Sequence, residues 1–493
     1  MRMYRSALLG VAATAALTFA ADSACAQKVF SRAPTPSVSG ASRGGGGYNG
    51  GGGFRGPGFG VLVPGILSAI PRGGQYVDPG DDTPQRPNRP QRSTRRNNGN
   101  LPAANERRFV PDEVLLAVSN NITPAQINAL QVRFRLTRLE SQTFQLPGTT
   151  LYRWRIPNGT SVPQAIQALG ADPRIASVQP NYLFTMQGDE AKTEARAAGE
   201  GDAAQYELAK LHLPQAHGLA KGDNVLIALI DSGVDANHPE LSGAIAETYD
   251  TLASPYAPHK HGTAIAGLIA AHGKLMGAAP HARILAIRAF NPTEKSADGT
   301  TFNILKGLDW AAAHDARIIN MSFAGPADPV IHRSLEAAHK KGIVLVAAAG
   351  NAGAKSPPLY PAADPNVIAV TATDADDKLF AQSNRGNHIA IAAPGAQILV
   401  AIPGGGYEQS SGTSYSAAEV SGIVALMLER KSDLAPDQVR GILLATAKDL
   451  GPKGRDPLFG AGLANAYGAL MAEAAPAIAS APRPVERASA GTR

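Results

Sequence analysis

The chain of 493 residues is too long for one ordinary domain, and its 44% hydrophobic residues suffice for a large buried core. Its single cysteine excludes an intramolecular disulfide and argues against a metal site built from cysteine thiolates. The formal net charge of +6 is concentrated in an N-terminal segment, so it excludes no function of the rest. The 52 glycines and 37 prolines cluster, which indicates that part of the chain does not fold.

The first 26 residues have the pattern of an export signal. Arg2 and Arg5 form a positive start, residues 7–21 are uncharged and mainly apolar, and Ala24 and Ala26 are the small residues that a signal peptidase requires. This apolar run is shorter than the roughly 20 residues that a bilayer-spanning helix needs. We therefore predict a signal peptide over 1–26, a secreted or periplasmic protein, and no transmembrane segment once the signal is removed.

Residues 27–107 are rich in glycine, arginine and proline and show no sustained apolar period. Such a segment cannot bury enough apolar surface to offset the entropy of ordering, so we predict that it is disordered. Two functions fit its composition: a solvated spacer, which the pattern favours, or an arm that binds nucleic acid or another anionic polymer. The Ala/Pro-rich residues 474–493 are predicted to form a second disordered tail.

Residues 108–187 carry strand and helix patterns in the order β-α-β-β-α-β. The predicted strands cover 113–118, 138–145, 150–156 and 175–186. Thr123 and Ser161, each followed closely by a proline, are expected to begin the two helices. This order predicts a small ferredoxin-like α/β sandwich. The Gly/Ala/Glu-rich residues 188–204 are predicted to be an exposed linker that is open to proteolytic processing.

Residues 205–473 alternate apolar runs with helical patterns. The predicted buried strands cover 225–230, 283–288, 317–321, 343–347, 367–371 and 389–392. Predicted helices include 303–315 and 329–341, the second of which is stopped by Gly342. This alternation predicts a mostly parallel sheet that is covered by helices on both faces. In such a sheet, functional residues lie at the carboxyl ends of the strands.

Three polar residues lie where chemistry is expected in such a sheet. Asp231 directly follows the strand 225–230, His261 opens a helix, and Ser414 lies at a glycine-led turn into another helix. Each motif alone is weak, because an aspartate after a strand is often a helix cap and Gly-Thr-Ser is a common tripeptide. The order Asp, His, Ser with these flanking residues is specific.

On these motifs, residues 206–466 resemble a subtilisin-like serine peptidase, a subtilase. The likeness extends to four further segments, which are Gly277-Ala-Ala-Pro280, residues 318–326, Ala347-Ala-Ala-Gly-Asn351 and Ala393-Pro-Gly395. Residues 108–187 are similar to the inhibitory, fold-assisting propeptide of the same family. The resemblance implies a three-layer α/β peptidase domain that acts on protein or peptide substrates and is preceded by its own intramolecular inhibitor.

The triad order Asp, His, Ser is a known property of subtilisin-like peptidases. A serine hydroxyl needs a base to remove its proton, and His261 would be that base and later the acid for the leaving amine. Asp231 would hold the imidazole in the correct tautomer. The resemblance implies that the side-chain N–H of Asn351 and the main-chain N–H of Ser414 stabilise the negative charge that builds on the carbonyl oxygen.

The resemblance also indicates two walls of a substrate cleft. One wall would pair with the extended substrate main chain, and the other would flank the side chain before the cleaved bond. The residues of these walls are Ser322, Phe323, Ala324 and Gly325 on the first, and Ala348, Ala349 and Gly350 on the second. Since both walls are apolar or small, we expect apolar or aromatic side chains to be accepted, unless loops that the sequence does not place shape the pocket differently.

No cofactor and no metal ligand is predicted. The loop 272–277 is short and lacks the Asn and Asp side chains that form the strong calcium site of the family. Asp374, Asp376 and Asp377 suggest a weak calcium site, although a turn with solvated carboxylates fits them better. By resemblance, the Asp364–Pro365 peptide bond is expected to be cis.

The leading hypothesis is an exported serine endopeptidase made as an inactive precursor, which cuts its own linker with Ser414. A second hypothesis is a binding protein on an inactive protease fold. It is suggested by Tyr415 and the three residues after it, where relatives have Met-Ala-Ser-Pro, by Ala264 in place of a second histidine, and by Ala324 in place of a glycine. A third hypothesis makes residues 27–107 the functional part, which the peptidase would release.

Overall fold

The computed structural model of the chain describes residues 98–119, 121–187, 205–252, 254–293 and 296–473. The predicted signal peptide, most of the 27–107 segment, the 188–204 linker and the 474–493 tail lie outside these residues. Within 98–107, the main-chain N–H of Asn100 donates to the carbonyl of Val178 at 2.8 Å, and the N–H of Val178 donates to the carbonyl of Asn98 at 3.2 Å. Regular main-chain pairing therefore begins before the predicted boundary at residue 107.

Residues 109–186 have the predicted β-α-β-β-α-β order. Their elements are β1 (Phe109–Val118), α1 (Pro124–Phe134), β2 (Thr137–Phe144), β3 (Thr149–Arg155), α2 (Val162–Gly170) and β4 (Ile175–Met186). Thr123 and Ser161 cap the two helices as predicted, since each side chain accepts a hydrogen bond from the main-chain N–H three residues further on. Trp154 and Ile166 are buried between this small sheet and its helices.

Residues 205–473 form a parallel sheet between two layers of helices. The strands are β5 (Leu226–Asp231), β6 (Ile245–Asp250), β7 (Arg283–Arg288), β8 (Phe290–Pro292), β9 (Ala297–Thr300), β10 (Ile318–Met321), β11 (Phe323–Ala324), β12 (Val344–Ala348), β13 (Val367–Thr373), β14 (Ile389–Pro394), β15 (Ile398–Ile402) and β16 (Gly406–Ser410). The helices are α3 (Tyr206–Lys210), α4 (Leu213–Ala216), α5 (Lys260–Ala270), α6 (Thr301–Ala313), α7 (Pro329–Lys340), α8 (Thr413–Arg430), α9 (Pro436–Thr446) and α10 (Ala466–Glu473), with a 3-10 turn at Pro239–Leu241. Seven strands pair in parallel in the order β14-β13-β12-β10-β5-β7-β6.

All six strands predicted in this region belong to the parallel sheet, which confirms the three-layer α/β fold. Successive side chains of a strand point to opposite faces of the sheet. Ile227 and Leu229 of β5 therefore pack in the cluster that contains α5 and α8, whereas Ala228 and Ile230 pack in the cluster that contains α6 and α7. Both faces are thus covered by helices, which is why these strands read as continuous apolar runs.

The sequence missed the strands that are short or only partly buried. β6 lies at the edge of the sheet with half-exposed side chains, and β15 and β16 form a hairpin around Gly404 and Gly405, both of which have positive φ angles. The expectation of a cis bond at Asp364–Pro365 is wrong, because the cis bond among the described residues joins Tyr360 and Pro361. Either bond before a proline can be cis at small cost, so the sequence could not choose between them.

Strand β4 joins the small sheet to the large domain. Its first residues pair with β1, whereas Thr185 faces Asp298 of β9 on one edge and Ala324 of β11 on the other. Buried side chains add to this junction, since Asp328 accepts hydrogen bonds from Nε2 of Gln179 at 2.8 Å and from the hydroxyl of Thr301 at 2.6 Å. The last residues of β4 are thereby fixed within the large domain.

Candidate active site

Asp231 and His261 form a hydrogen-bonded pair at the carboxyl end of β5. Nδ1 of His261 lies 2.9 Å from Oδ1 and 3.0 Å from Oδ2 of Asp231, and both side chains are buried. Oδ1 also accepts from the main-chain N–H of Ser232 at 2.7 Å and from its hydroxyl at 2.9 Å. Because a carboxylate only accepts hydrogen bonds, this contact places the proton on Nδ1 and leaves Nε2 as an acceptor.

The position directly after His261 requires a glycine, Gly262. A Cβ atom at this position would lie 2.3 Å from the main-chain oxygen of Gly233, and 3.2 Å from Oδ1 of Asp231. Backbone cannot yield at such a distance, so any other residue would push α5 away from the end of β5. The glycine therefore lets the histidine approach the aspartate closely.

Ser414 lies in the first turn of α8 and is fully buried. Its hydroxyl donates to the main-chain oxygen of Ser322 at 3.1 Å. Nε2 of His261 is buried and has no hydrogen-bond partner among the described residues, so the serine–histidine hydrogen bond is not formed in this side-chain conformation. The ring of His261 lies above the start of α8, with its centroid 6.2 Å from the ring of Tyr415.

Asn351 is oriented by the residue that precedes the serine. Its Oδ1 accepts from the main-chain N–H of Thr413 at 3.1 Å and from the hydroxyl of Thr413 at 2.9 Å. The same hydroxyl accepts from the N–H of Gly350 at 3.1 Å. Since Oδ1 is fixed as an acceptor, Nδ2 of Asn351 is directed to the opposite side, where it donates to the main-chain oxygen of Gln187 at 2.7 Å.

Gln187, which sequence reasoning did not single out, follows the last residue of β4. Its main-chain N–H donates to the oxygen of Ser322 at 3.1 Å, and its side-chain Oε1 accepts from the N–H of Asn351 at 2.8 Å. The only signal in the sequence is that Gln187 lies between the predicted strand 175–186 and the linker 188–204. Its role depends on the register of β4 against β11, which is a tertiary property.

The first predicted wall of the cleft pairs with the extended strand β4. Phe323 faces Met186 and Ala324 faces Thr185 in antiparallel register. Gly325 admits the buried ring of Phe184, because a Cβ atom at residue 325 would lie 2.3 Å from that ring. The ring of Phe184 meets Phe323 edge to face at 5.9 Å between centroids.

The second predicted wall lies at the carboxyl end of β12 beside Asn351. Ala348 and Ala349 are buried, and the oxygen of Ala349 accepts from Nδ2 of Asn384 at 2.9 Å. Gly350 has a φ angle of +108°, and a Cβ atom there would lie 2.3 Å from Nδ2 of Asn384. This segment therefore needs glycine at 350, and its role as a wall of the cleft stays a prediction.

The loop 272–277, where the resemblance leads one to look for a calcium site, closes over a buried carboxylate. Glu240 accepts hydrogen bonds from the main-chain N–H groups of Gly273, Lys274 and Leu275 at 3.0–3.1 Å, and from the hydroxyl of Tyr407 at 2.6 Å. Calcium requires oxygen ligands, whereas these donors direct hydrogen atoms inward. The residues around the loop 272–277 therefore do not fit the ion.

The three aspartates of the second candidate cation site each have other partners. Asp377 forms ion pairs with Lys210 and Lys448, at 2.7 and 2.8 Å, and these lysines lower the pKa of its carboxyl. Oδ1 of Asp374 accepts from two main-chain N–H groups of the same turn, and Asp376 pairs with Lys378. Across the described ranges, no group of three or more His, Cys, Asp or Glu side chains is placed to hold a metal ion.

The domain has three α/β layers, an Asp–His pair at the end of one strand and a serine at the start of a helix. This combination defines the subtilisin-like class of serine peptidase. The model of the Subtilase family matches residues 222–462. The chain is 34% identical to Thermitase of Thermoactinomyces vulgaris over 275 residues, which are 54% of this chain and 96% of that protein. It is also 34% identical to the Thermophilic serine proteinase of Bacillus sp. (strain AK1) over 319 residues. This match covers 63% of this chain and 76% of that protein. The chain therefore belongs to the subtilase family and is a serine endopeptidase.

A solved structure supports the same assignment. Fervidolysin from Fervidobacterium pennivorans, a keratinolytic enzyme related to subtilisin, matches with a TM-score of 0.63 and 25% identity. The match covers 76% of this chain and 62% of that chain, which is less than two thirds of fervidolysin. Within the residues that the structure describes, no helix is both long and apolar enough to cross a membrane.

Two buried carboxyl groups interact, one on α3 and one on α8, the helix that carries Ser414. Glu207 of α3 and Glu419 of α8 are both buried, and Oε1 of Glu207 accepts from Nε2 of Gln205 at 3.2 Å. The Oε2 atom of each has no hydrogen-bond partner among the described residues. Burial raises the pKa of both carboxyls above the ordinary value of 4.5, and the charge of Glu207 raises the pKa of Glu419 further.

We expect this pair to reduce stability as the pH rises above about 4.5. A carboxyl whose pKa is raised by folding holds its proton more tightly in the folded state, so its stabilising contribution is complete at low pH and is lost as the pH rises through the folded pKa. We compare the free energy of unfolding of the double variant Glu207→Gln/Glu419→Gln with that of its parent. As the pH rises from 4.5 to 8, this difference should shift in favour of the variant by roughly 2–4 kcal/mol.

Urea unfolding from pH 4 to pH 9, in a Ser414→Ala background that cannot digest itself, measures this gain. The matched control is Glu336→Gln on the exposed face of α7, which should keep the pH dependence of the parent. An unchanged pH dependence in the double variant would show that the pair is not protonated in the folded enzyme.

Proposed function

We propose that this serine endopeptidase acts through Asp231, His261 and Ser414, and that it is made as an exported, self-processing precursor. The observation that supports this most directly is the position of Gln187. Its carbonyl oxygen accepts from Nδ2 of Asn351 at 2.7 Å, and its N–H shares the acceptor oxygen of Ser322 with the hydroxyl of Ser414. A peptide carbonyl held beside a serine hydroxyl by a side-chain amide is the arrangement that acyl transfer needs.

In the proposed reaction, His261 is the base. Rotation about the Cα–Cβ bond of Ser414 would move the hydroxyl from the oxygen of Ser322 toward Nε2 of His261, which is an acceptor because Nδ1 carries the proton. Such catalytic hydrogen bonds often form only when the reacting groups are in place. As Oγ attacks the carbonyl carbon, Nε2 takes the hydroxyl proton and Asp231 stabilises the imidazolium.

The negative charge that builds on the carbonyl oxygen would be stabilised by Nδ2 of Asn351 and the main-chain N–H of Ser414. The imidazolium of His261 then gives its proton to the leaving amine, which leaves an ester on Ser414. Water, activated by the same imidazole, hydrolyses the ester and restores the serine hydroxyl. No step requires a metal ion.

The small domain is proposed to inhibit the enzyme until it is removed. The end of β4 pairs with both β9 and β11, and Phe184 is buried against Phe323, so no other chain can pair there while β4 remains. Together with the predicted signal peptide over 1–26 and the linker over 188–204, this supports a precursor that is exported to the periplasm or beyond and then matured. The alternative of an inactive binding protein is disfavoured by the family assignment, and an anion-binding role of residues 27–107 stays a prediction.

We expect Ser414→Ala to remain uncut after signal removal and to hydrolyse casein at least 10³-fold more slowly than the wild type, because the nucleophile is lost. Gel electrophoresis and intact mass report the cut, and a fluorophosphonate probe should label the wild type only. Ser356→Ala is the control, because this half-exposed serine donates its hydroxyl to the carbonyl of the adjacent Pro357. A Ser414→Ala variant that matures and digests casein at the wild-type rate would overturn the assignment.

A further inference from the structure

We infer that the chain cuts itself at the peptide bond that follows Gln187, and that the glutamine side chain is recognised by the main chain of Asn351. This inference rests on the proposed function, since it names the first substrate of the same active site. It also fixes the residue number of a cut that the sequence places only within the linker 188–204.

The main chain of Gln187 is held on both sides of its Cα atom. Its N–H donates to the oxygen of Ser322 at 3.1 Å, and its carbonyl oxygen accepts from Nδ2 of Asn351 at 2.7 Å. The ladder to β11 sets this register, because Met186 and Thr185 pair with Phe323 and Ala324. A shift by one residue would reverse the faces of every side chain in this segment and remove Phe184 from its buried position.

The nucleophile shares a hydrogen-bond acceptor with Gln187. The hydroxyl of Ser414 and the N–H of Gln187 donate to one and the same oxygen atom, that of Ser322, each at 3.1 Å. Asn351, the donor proposed to stabilise the developing charge, contacts the carbonyl of Gln187. The nucleophile is therefore linked to Gln187 through the oxygen of Ser322, and the charge-stabilising donor binds the Gln187 carbonyl directly.

The side chain of Gln187 uses both ends of its amide. Oε1 accepts from the main-chain N–H of Asn351 at 2.8 Å, and Nε2 donates to the carbonyl oxygens of Thr185 at 3.0 Å and Met186 at 3.2 Å. A glutamate would keep the acceptor but lose the donor, and it would place negative charge beside two carbonyl oxygens. A methionine, which has nearly the same length, would lose both. The structure thus assigns an amide preference here, in place of the apolar or aromatic preference expected from the walls of the cleft.

The bond changes balance without a further reagent. Oγ of Ser414 forms an ester with the carbonyl carbon of Gln187, the bond from that carbon to the nitrogen of Gly188 breaks, and the serine proton passes through His261 to that nitrogen. Water then hydrolyses the ester. The products are a fragment that ends in the carboxylate of Gln187 and an enzyme chain that begins at Gly188.

The test uses the full-length precursor and mass spectrometry of both products during maturation. The wild type should give a fragment ending at Gln187 and an enzyme beginning at Gly188. Gln187→Met and Gln187→Glu should slow this cut by roughly tenfold or more, because each loses at least one hydrogen-bonding end of the amide. The control Gln142→Met, in β2 and remote from the cleft, should mature at the wild-type rate.

The possible outcomes distinguish a failure of this inference from a failure of the proposed function. Cutting that depends on Ser414 but begins at another residue would overturn this inference and leave the proposed function intact. Cutting at Gln187 with no slowing in Gln187→Met would overturn the recognition of the amide. A folded precursor that neither cuts itself nor reacts with a fluorophosphonate probe would overturn the proposed function as well. A peptide library cleaved by the mature enzyme should show glutamine enriched before the cut relative to glutamate and methionine.

Discussion

Asp231→Asn should lower kcat/KM for peptide hydrolysis by about 10⁴-fold, which is the loss known for serine peptidases when this carboxylate becomes an amide. Both carboxylate oxygens lie within 3.0 Å of Nδ1 of His261 and accept a hydrogen bond from its N–H. An asparagine amide can instead donate to Nδ1, which would place the imidazole proton on Nε2. An imidazole with its proton there cannot accept the proton of Ser414, so the base is lost while the fold remains.

The measurement is steady-state hydrolysis of a chromogenic peptide by enzyme whose fold is verified by thermal unfolding. Asp235→Asn is the matched control, because this aspartate lies four residues further on and accepts only from the main-chain N–H groups of Asn237 and Gly404. It should change kcat/KM by less than about twofold. An Asp231→Asn enzyme that retains more than a tenth of wild-type kcat/KM would show that this carboxylate does not set the tautomer of His261.

Glu240→Ala should lower the free energy of unfolding by about 3–5 kcal/mol. The carboxylate is buried and accepts four hydrogen bonds, three from the main-chain N–H groups of residues 273–275 and one from Tyr407. Alanine would leave these donors buried without an acceptor. Glu240→Gln should cost less, since one oxygen remains, but it should still destabilise, because its amide N–H₂ group faces donors.

Thermal and urea unfolding in the Ser414→Ala background measure this loss, with Glu247→Ala on the half-exposed strand β6 as the control. The same unfolding measurements test whether the Glu240 carboxylate stabilises the loop 272–277 without a calcium ion. EDTA should leave the midpoint of wild-type unfolding unchanged, because the donors around Glu240 offer no oxygen ligands to a cation. A fall of several degrees in EDTA that calcium restores would contradict this interpretation.

The sequence predicted the parallel sheet because its strands are buried on both faces and their apolar runs are continuous. The motifs around Asp231, His261 and Ser414 stand out in the sequence because close packing requires glycines and small residues there, as Gly262 shows. The edge strand β6 was missed because half-exposed side chains give no clear period. The caps at Thr123 and Ser161 were predicted because capping is a local interaction.

The parts of the site that the sequence did not predict all depend on contacts between distant residues. Gln187 meets Asn351 only through the register of β4 against β11. Glu240 meets the loop 272–277, and Glu207 meets Glu419, only after the helices have packed. Nothing local distinguishes these buried carboxyls from surface glutamates, so a single sequence cannot place them.

If β4 is removed during maturation as we propose, the gap that it leaves between β9 and β11 would select the proteins that the mature enzyme can cut. Removal of β4 would leave a row of unpaired main-chain N–H and C=O groups on both β9 and β11. The gap between them has room for one extended chain, since neighbouring strands of a sheet lie about 4.8 Å apart. Only a stretched peptide can satisfy both rows, since a helix is about 10 Å thick and has already used its own N–H and C=O groups. We therefore expect the mature enzyme to cut unfolded or extended segments and to leave folded proteins intact, so that the conformation of a target matters before its sequence.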